Sequence, residues 1–141
     1  MNARIIKHIT AVLCLLMILT FSFISSGVAA TLESLVFESA SVTIGSGMDA
    51  DFYAGTNYNC TSISVSSCTL QKKNASGSWV YASSLTPPSD VAKNTSNFGA
   101  LADYSSSCTS GNTYRVRAVF KAVYNGISYT VTRTSNSVNY N

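Results

Sequence analysis

Beyond His8 the chain contains no histidine. Imidazole is the usual general base near neutral pH and a common transition-metal ligand. Its absence removes Ser-His-Asp and Cys-His hydrolysis, and His-ligated metals, from residues 9–141. Charge is scarce as well: 11% of residues are Asp, Glu, Lys or Arg, with no block of either sign. Affinity for phosphate backbones needs clustered Lys and Arg, so nucleic acid is not an expected partner. There is no C-x-x-C spacing, and without histidine a structural zinc would lack ligands, so no metal and no cofactor are expected. The carboxylates Glu33, Glu38, Asp49, Asp51, Asp90 and Asp103 remain. A carboxyl pair suffices for glycoside hydrolysis only across a cleft, and nothing in the pattern announces one. Asp49 and Asp51 share one strand face and read as keeping it wet rather than as calcium ligands. The expectation is a protein that is not an enzyme.

Only one long apolar run occurs, and it lies at the start. Arg4, Lys7 and His8 form a positive segment, Ile9 to Ile24 is almost entirely apolar, and Val28-Ala29-Ala30 is a small-residue cleavage pattern. This reads as a secretory signal peptide over residues 1–30, cut between Ala30 and Thr31. Its apolar core of about 15 residues is short for the ~20 that span a bilayer, and Cys14 lies within it and leaves with it. The expected product is a secreted, extracellular domain over residues 31–141, without a membrane association after cleavage. Seven Lys and Arg then face six Asp and Glu, a formal charge of about +1.

The domain is rich in Ser, Thr, Asn and Tyr, which favours strands over helices. In "TYRVRAVFKAVY" the residues Tyr114, Val116, Ala118, Phe120, Ala122 and Tyr124 share one face, a period of two. Asn125-Gly126 follows, a hairpin signal because both turn positions need positive φ. A two-residue loop then sets Tyr124 against Ile127, Ala122 against Tyr129 and Phe120 against Val131, so the apolar faces coincide. Arg133 falls opposite Ala118, where the pattern fails. Shorter strands are read at Ser41–Ile44, Met48–Ala54, Thr61–Lys73, Trp79–Leu85 and Phe98–Tyr104. A phase slip near Ser66-Ser67 implies a bulge. "TPPSDVAKNTSN" reads as a loop, because Pro87-Pro88 cannot sit in a central ladder. About seven short strands separated by turn signals imply an all-β fold, a single antiparallel two-sheet sandwich.

The stretch "GNTYRVRAVFKAVYNG" resembles the F strand and following turn of fibronectin type III and related immunoglobulin-like domains. The resemblance implies an immunoglobulin-like topology with Tyr114 as a structural corner residue, its hydroxyl bonded back to nearby backbone. With the leader, "CTLQKK…GSW…C…GNTYRVRAVF" is also similar to uncharacterised small secreted proteins of Gram-positive bacteria. That implies a bacterial, extracellular setting and no activity.

Three cysteines remain after the leader: Cys60, Cys68 and Cys108. In an exported protein an odd count suggests one disulfide and one thiol left over. Cys68–Cys108 is the favoured pair, with Cys60–Cys108 and Cys60–Cys68 left open. Closing a loop of that length would stabilise by about 4 kcal/mol on the chain-entropy account. Trp79 and Tyr81, two apart on a strand, project to one face and are candidate ligand-binding rings, as in sugar-stacking surfaces. Arg115, Arg117 and Lys121 make a basic stripe on the outer face of the Tyr114 strand, with Thr130, Thr134 and Asn136 placed opposite. The reading is a non-catalytic binding or structural module whose partner is an extracellular glycan, wall polymer or protein. The alternative is a secreted effector or antimicrobial-type polypeptide acting on other cells.

Overall fold

The computed structural model describes residues 35–141, so the expected signal peptide and its cut between Ala30 and Thr31 lie outside the described residues. Seven strands follow one another: β1 (Phe37–Ile44), β2 (Asp49–Lys73), β3 (Trp79–Leu85), β4 (Val91–Asp103), β5 (Asn112–Tyr124), β6 (Ile127–Thr134) and β7 (Val138–Tyr140). A 3-10 turn, Ser105–Ser107, separates β4 from β5. All pairings are antiparallel, and all seven strands belong to one hydrogen-bonded network.

The β5–β6 hairpin forms as its turn dictates. Asn125 and Gly126 both take positive φ, 50° and 75°, which matches the right-handed twist of the flanking strands. Tyr124 pairs with Ile127, Ala122 with Tyr129, Phe120 with Val131 and Ala118 with Arg133. Arg133 is used rather than wasted at that end. Its Nε donates to the Ala40 carbonyl at 3.1 Å and a terminal amino group donates to Thr132 O at 2.9 Å.

β2 organises everything else. It is 25 residues long, and its two edges are each shared by two strands. β1 pairs with its first part and β5 with its second along one edge; β4 and then β3 run along the other. Between Gly55↔Asn97 and Cys60↔Thr95, β2 advances five positions while β4 advances two. This surplus is a local bulge, where a strand bends and the ladder is interrupted. The Thr56 hydroxyl, on a residue only 4% exposed, donates to Tyr58 O at 2.8 Å and lies 3.2 Å from Ser96 O. Its single proton thereby satisfies a carbonyl that the broken ladder leaves without a strand partner. A second bulge falls between Val65 and Ser67, where the phase slip predicts one, and the Ser66 hydroxyl donates to Val119 O at 3.1 Å.

Both halves of β2 contribute to one core. Phe52, before the bend, meets Phe120 of β5 edge-on at 6.3 Å between centroids, and Phe98 and Tyr104 complete the aromatic cluster. Phe52 and Phe120 are fully buried, each worth roughly 1.5–3 kcal/mol as apolar surface removed from water. Val36, Met48, Ile63, Leu70, Val116 and Val131 are buried in the same core.

Several expectations need correction. The strand expected to stop at Gly55 and the one expected from Thr61 are a single strand, because "GTNYNC" carries the bulge and so loses its apolar alternation. "VAKNTSN" is not loop: β4 starts at Val91 and pairs Ala92 with Ile63. Asn94 takes a positive φ of 51° inside this strand, which disguises the pattern. β7 is an addition the sequence reading lacked. Cys68 and Cys108 do not form the expected disulfide; Cys60, Cys68 and Cys108 are all free thiols. The Tyr104 hydroxyl, which donates to Thr86 O at 3.0 Å, stands against the Cys68 thiol. The 3-10 turn then carries the chain on to Cys108, whose charged neighbour is Asp103.

Candidate binding face

β3, the second half of β2, β5 and β6 present one outward surface, set by the alternation of each strand. On β5, Tyr114, Val116, Ala118, Phe120 and Ala122 are buried, so Arg115, Arg117, Val119 and Lys121 point away from the core. The register then places Gln71 of β2 between Arg115 of β5 and Tyr81 of β3, and Lys73 beside Trp79. Thr134 stands opposite Arg117, Thr132 opposite Val119 and Thr130 opposite Lys121. Asn136, expected beside these threonines, is elsewhere. It has left the sheet to bond both backbone groups of Ile44, accepting from its N–H at 2.9 Å and donating to its carbonyl at 2.8 Å.

Trp79 and Tyr81 share this face but not one environment. The Arg115 guanidinium lies 4.3 Å from the centre of the Trp79 ring, a cation–π contact worth about 0.5–1 kcal/mol at an exposed site. Its Nε donates to Gln71 Oε1 at 2.7 Å, which fixes the plane of the group. Trp79 is therefore half-buried beneath an arginine rather than inserted in the core. Tyr81 is 65% exposed, and its hydroxyl shares a 3.1 Å hydrogen bond with Ser84. That bond orients the ring while leaving most of it open. Gln71 and the Arg115–Trp79 contact escape sequence reading, because the β2–β5 register that joins them spans more than forty residues. The only available signal was the shared outward phase of Arg115 and Arg117.

Tyr114 sits at the end of β5, buried, with its hydroxyl accepting from Thr109 N–H at 3.0 Å and lying 3.5 Å from Thr109 O. It is a positioning residue for the start of β5 and so for Arg115. Cys68 and Cys108 belong to the interior side. Burial pushes both thiols above the ordinary thiol range, and the Asp103 charge adds to the effect at Cys108.

Most of the described carboxylates lie away from this surface, Asp90 being the one that adjoins it. Asp49 and Asp51 are on β2 before the bend, Glu38 is on β1 and Asp103 ends β4; Asp90 is in the loop before β4. Asp103 is held below the usual carboxylate range by the Ser105 backbone N–H, which donates to it at 2.8 Å. Among the described residues, no group of three or more His, Cys, Asp or Glu side chains is placed to hold a metal ion. The outward face thus assembles aromatic rings, one amide, hydroxyls and cations. Groups of these kinds can stack on and hydrogen-bond to polar ligands. Compared with known protein families, with curated proteins and with solved structures, the chain matches none.

Proposed function

We propose that the protein is a secreted, non-catalytic binding module of immunoglobulin-like sandwich type, and that it holds an extracellular glycan on the outward face of β3, β2, β5 and β6. The observation that carries the reading is the pair of rings on β3: Tyr81 open to solvent, and Trp79 beside it under a fixed arginine. Aromatic rings with adjacent amide and hydroxyl groups suit sugar rings, which offer apolar C–H faces and polar rims. A sheet face also changes little on binding, so the ordering cost is small. The sandwich assignment is supported by the bend in β2, which sets Phe52 against Phe120, and by the Tyr114 hydroxyl at the corner.

The test is co-sedimentation of the purified protein with isolated cell walls and with insoluble polysaccharides. Retention on at least one of them is expected, and Tyr81→Ala should abolish it while the melting temperature holds. Retention unchanged in both Tyr81→Ala and Trp79→Ala would remove the face from consideration.

A further inference from the structure

Most of the described charges are sorted in space by the bend in β2. Lys73, Arg115, Arg117 and Lys121 all project from the outward face after the bend, and Lys93 joins them through its pairing with Ser62. Asp49, Asp51, Asp103 and Glu38 occupy β1, the first half of β2 and the far end of β4, while Asp90 alone of the described carboxylates adjoins the cationic half, next to Val91, which pairs with Ser64 opposite Lys121. A chain of formal net charge +3 therefore gathers most of its described cations on one sheet face. Most of these cations have no carboxylate across the strand from them: Arg115 meets Gln71, Arg117 meets Thr69 and Thr134, Lys121 meets Ser64 and Thr130. A solvated face made only for solubility gains from interspersed opposite charges. This one has none across its strands, with Asp90 alone among the described carboxylates near its edge.

We infer that the ligand of this face is an anionic polysaccharide, one whose sugar rings carry carboxylates, lying along β5. The inference rests on the binding-module reading above and narrows it. Arg115, Arg117 and Lys121 run along one strand, and six residues of strand span about 20 Å at ~3.4 Å per residue. That is the footprint of a short length of linear polymer, not of one small anion. Arg115 keeps its terminal amino groups beyond the Gln71 contact, and Nε and ring plane are already set, so a carboxylate meets a pre-oriented donor pair. Alternate residues on one strand stand ~6.8 Å apart and neighbouring strands ~4.8 Å apart, so rings on β3 and cations on β5 can engage the same chain. The threonine row of β6 offers hydroxyls along its other side.

The rings decide between anionic polymers. A polyol phosphate carries charge at similar intervals but has no ring to lay on Tyr81. A single-stranded nucleic acid has both rings and phosphates, yet it favours successive aromatic platforms. Here one ring is open, and Trp79 is already covered on one side by Arg115. A hydroxyl-rich uronate chain uses every group the face presents.

Titration calorimetry of the purified protein tests this with polygalacturonate, alginate and hyaluronate as acidic chains. Fully methyl-esterified polygalacturonate, polyglycerol phosphate and poly(U) serve as comparisons. At least one of the three acidic polysaccharides should bind. Its affinity should fall about tenfold or more between about 50 and 500 mM NaCl, because exposed charges are screened over that range. The esterified chain, a polyglycerol phosphate and poly(U) should each bind at least about tenfold more weakly. The double variant R117Q/K121Q should lose about tenfold in affinity at unchanged melting temperature, and Arg117→Lys should retain most of it. Equal affinity for charged and esterified chains, without salt dependence, would overturn the inference yet leave the glycan-binding reading standing if Tyr81→Ala still removes binding. Tighter binding of poly(U) or polyglycerol phosphate would overturn it in favour of a phosphate polymer. Binding to none of the probes, together with no retention on walls or insoluble polysaccharides, would sink both.

Discussion

Ser135 closes a gap in the backbone of β5 that no strand covers. β6 pairs with β5 from Arg117 onward and β7 pairs with it up to Tyr114, so the Val116 backbone falls between two partners. The Ser135 hydroxyl accepts from Val116 N–H at 2.9 Å, and Ser135 N–H donates to Val116 O at 2.8 Å. Val116 is fully buried. Ser135→Ala keeps the second bond, which is backbone, but leaves the Val116 N–H buried without an acceptor. An unsatisfied buried donor costs about 1–3 kcal/mol. The lost hydroxyl bond to Asn136 O, 2.6 Å in the native chain, is more exposed and adds less. The expected destabilisation is about 2 kcal/mol, or roughly 10 °C in melting temperature for a domain of this size. Urea denaturation followed by fluorescence of the single tryptophan, Trp79, reads the first quantity directly. Hydrogen exchange should show the Val116 amide losing more protection than its neighbours on β5. Ser135→Thr, which keeps a hydroxyl, should recover most of the stability. A Ser135→Ala variant within about 0.5 kcal/mol of the native protein, at unchanged denaturant slope, would refute the argument that this hydroxyl is a strand substitute.

Gly126 holds φ at 75° with no atom close enough to meet an added Cβ, so Gly126→Ala should cost roughly 1–2 kcal/mol through backbone strain alone, read as a lower urea midpoint. Alkylation of the native protein should label Cys108 first, since it is only half-buried, with Cys68 much slower and Cys60 unreactive until the chain unfolds; mass spectrometry of timed samples checks the order, and rapid labelling of Cys60 would contradict its burial. Burial above all, then the Cys68 thiol, pushes the Tyr104 phenol well above its ordinary range. Folded protein is thus favoured while this phenol keeps its proton, and stability should decline as pH rises past about 10, where the unfolded phenol ionises. Tyr104→Phe should lose about 1 kcal/mol with the Thr86 bond and show a shallower alkaline decline in a stability series up to pH ~11.5.

What could be read in the chain follows the range of the interactions. The β5–β6 hairpin is legible because two residues, Asn125 and Gly126, determine its register, and the apolar faces of both strands agree with it. The Ser66 bulge is legible because a phase slip is local. The bend at 56–59 is not, since its stabilising contact joins Thr56 to Ser96, forty residues on, and both segments lose their alternation there. The cysteines show the same limit: an expected export and an odd count suggest one disulfide, and strand placement favours Cys68 with Cys108, but none of these reports a distance, and Tyr104 occupies the surroundings of Cys68. For the binding face, the outward phase of Arg115 and Arg117 and the pairing of Trp79 with Tyr81 on one strand are visible in the sequence. That Arg115 lies on Trp79, with Gln71 bracing it, depends on three strands meeting and could only come from the structure.

The bend is also what allows one strand to serve two surfaces. At ~3.3 Å per residue, 25 extended residues would reach roughly 80 Å, whereas a domain of about 100 residues has a radius of gyration near 13 Å. β2 must therefore turn, and it does so where Gly55 leaves space a Cβ would take from the Ser39 hydroxyl and where the Thr56 hydroxyl donates to the Tyr58 carbonyl. Residues before the turn send Asp49 and Asp51 to one exterior; residues after it send Gln71 and Lys73 to another, next to Arg115 and Tyr81. The inward side chains of both halves, Phe52 and Ile63 among them, still share a single core. Along a straight strand Asp51 and Lys73 would stand roughly 70 Å apart at ~3.3 Å per residue, far beyond a Debye length of ~10 Å, so what the bend decides is which exterior each one faces. The cations gather because β5 pairs with the second half of β2, so the charge of the outward face is a consequence of which part of β2 each strand joins as much as of which residues it contains.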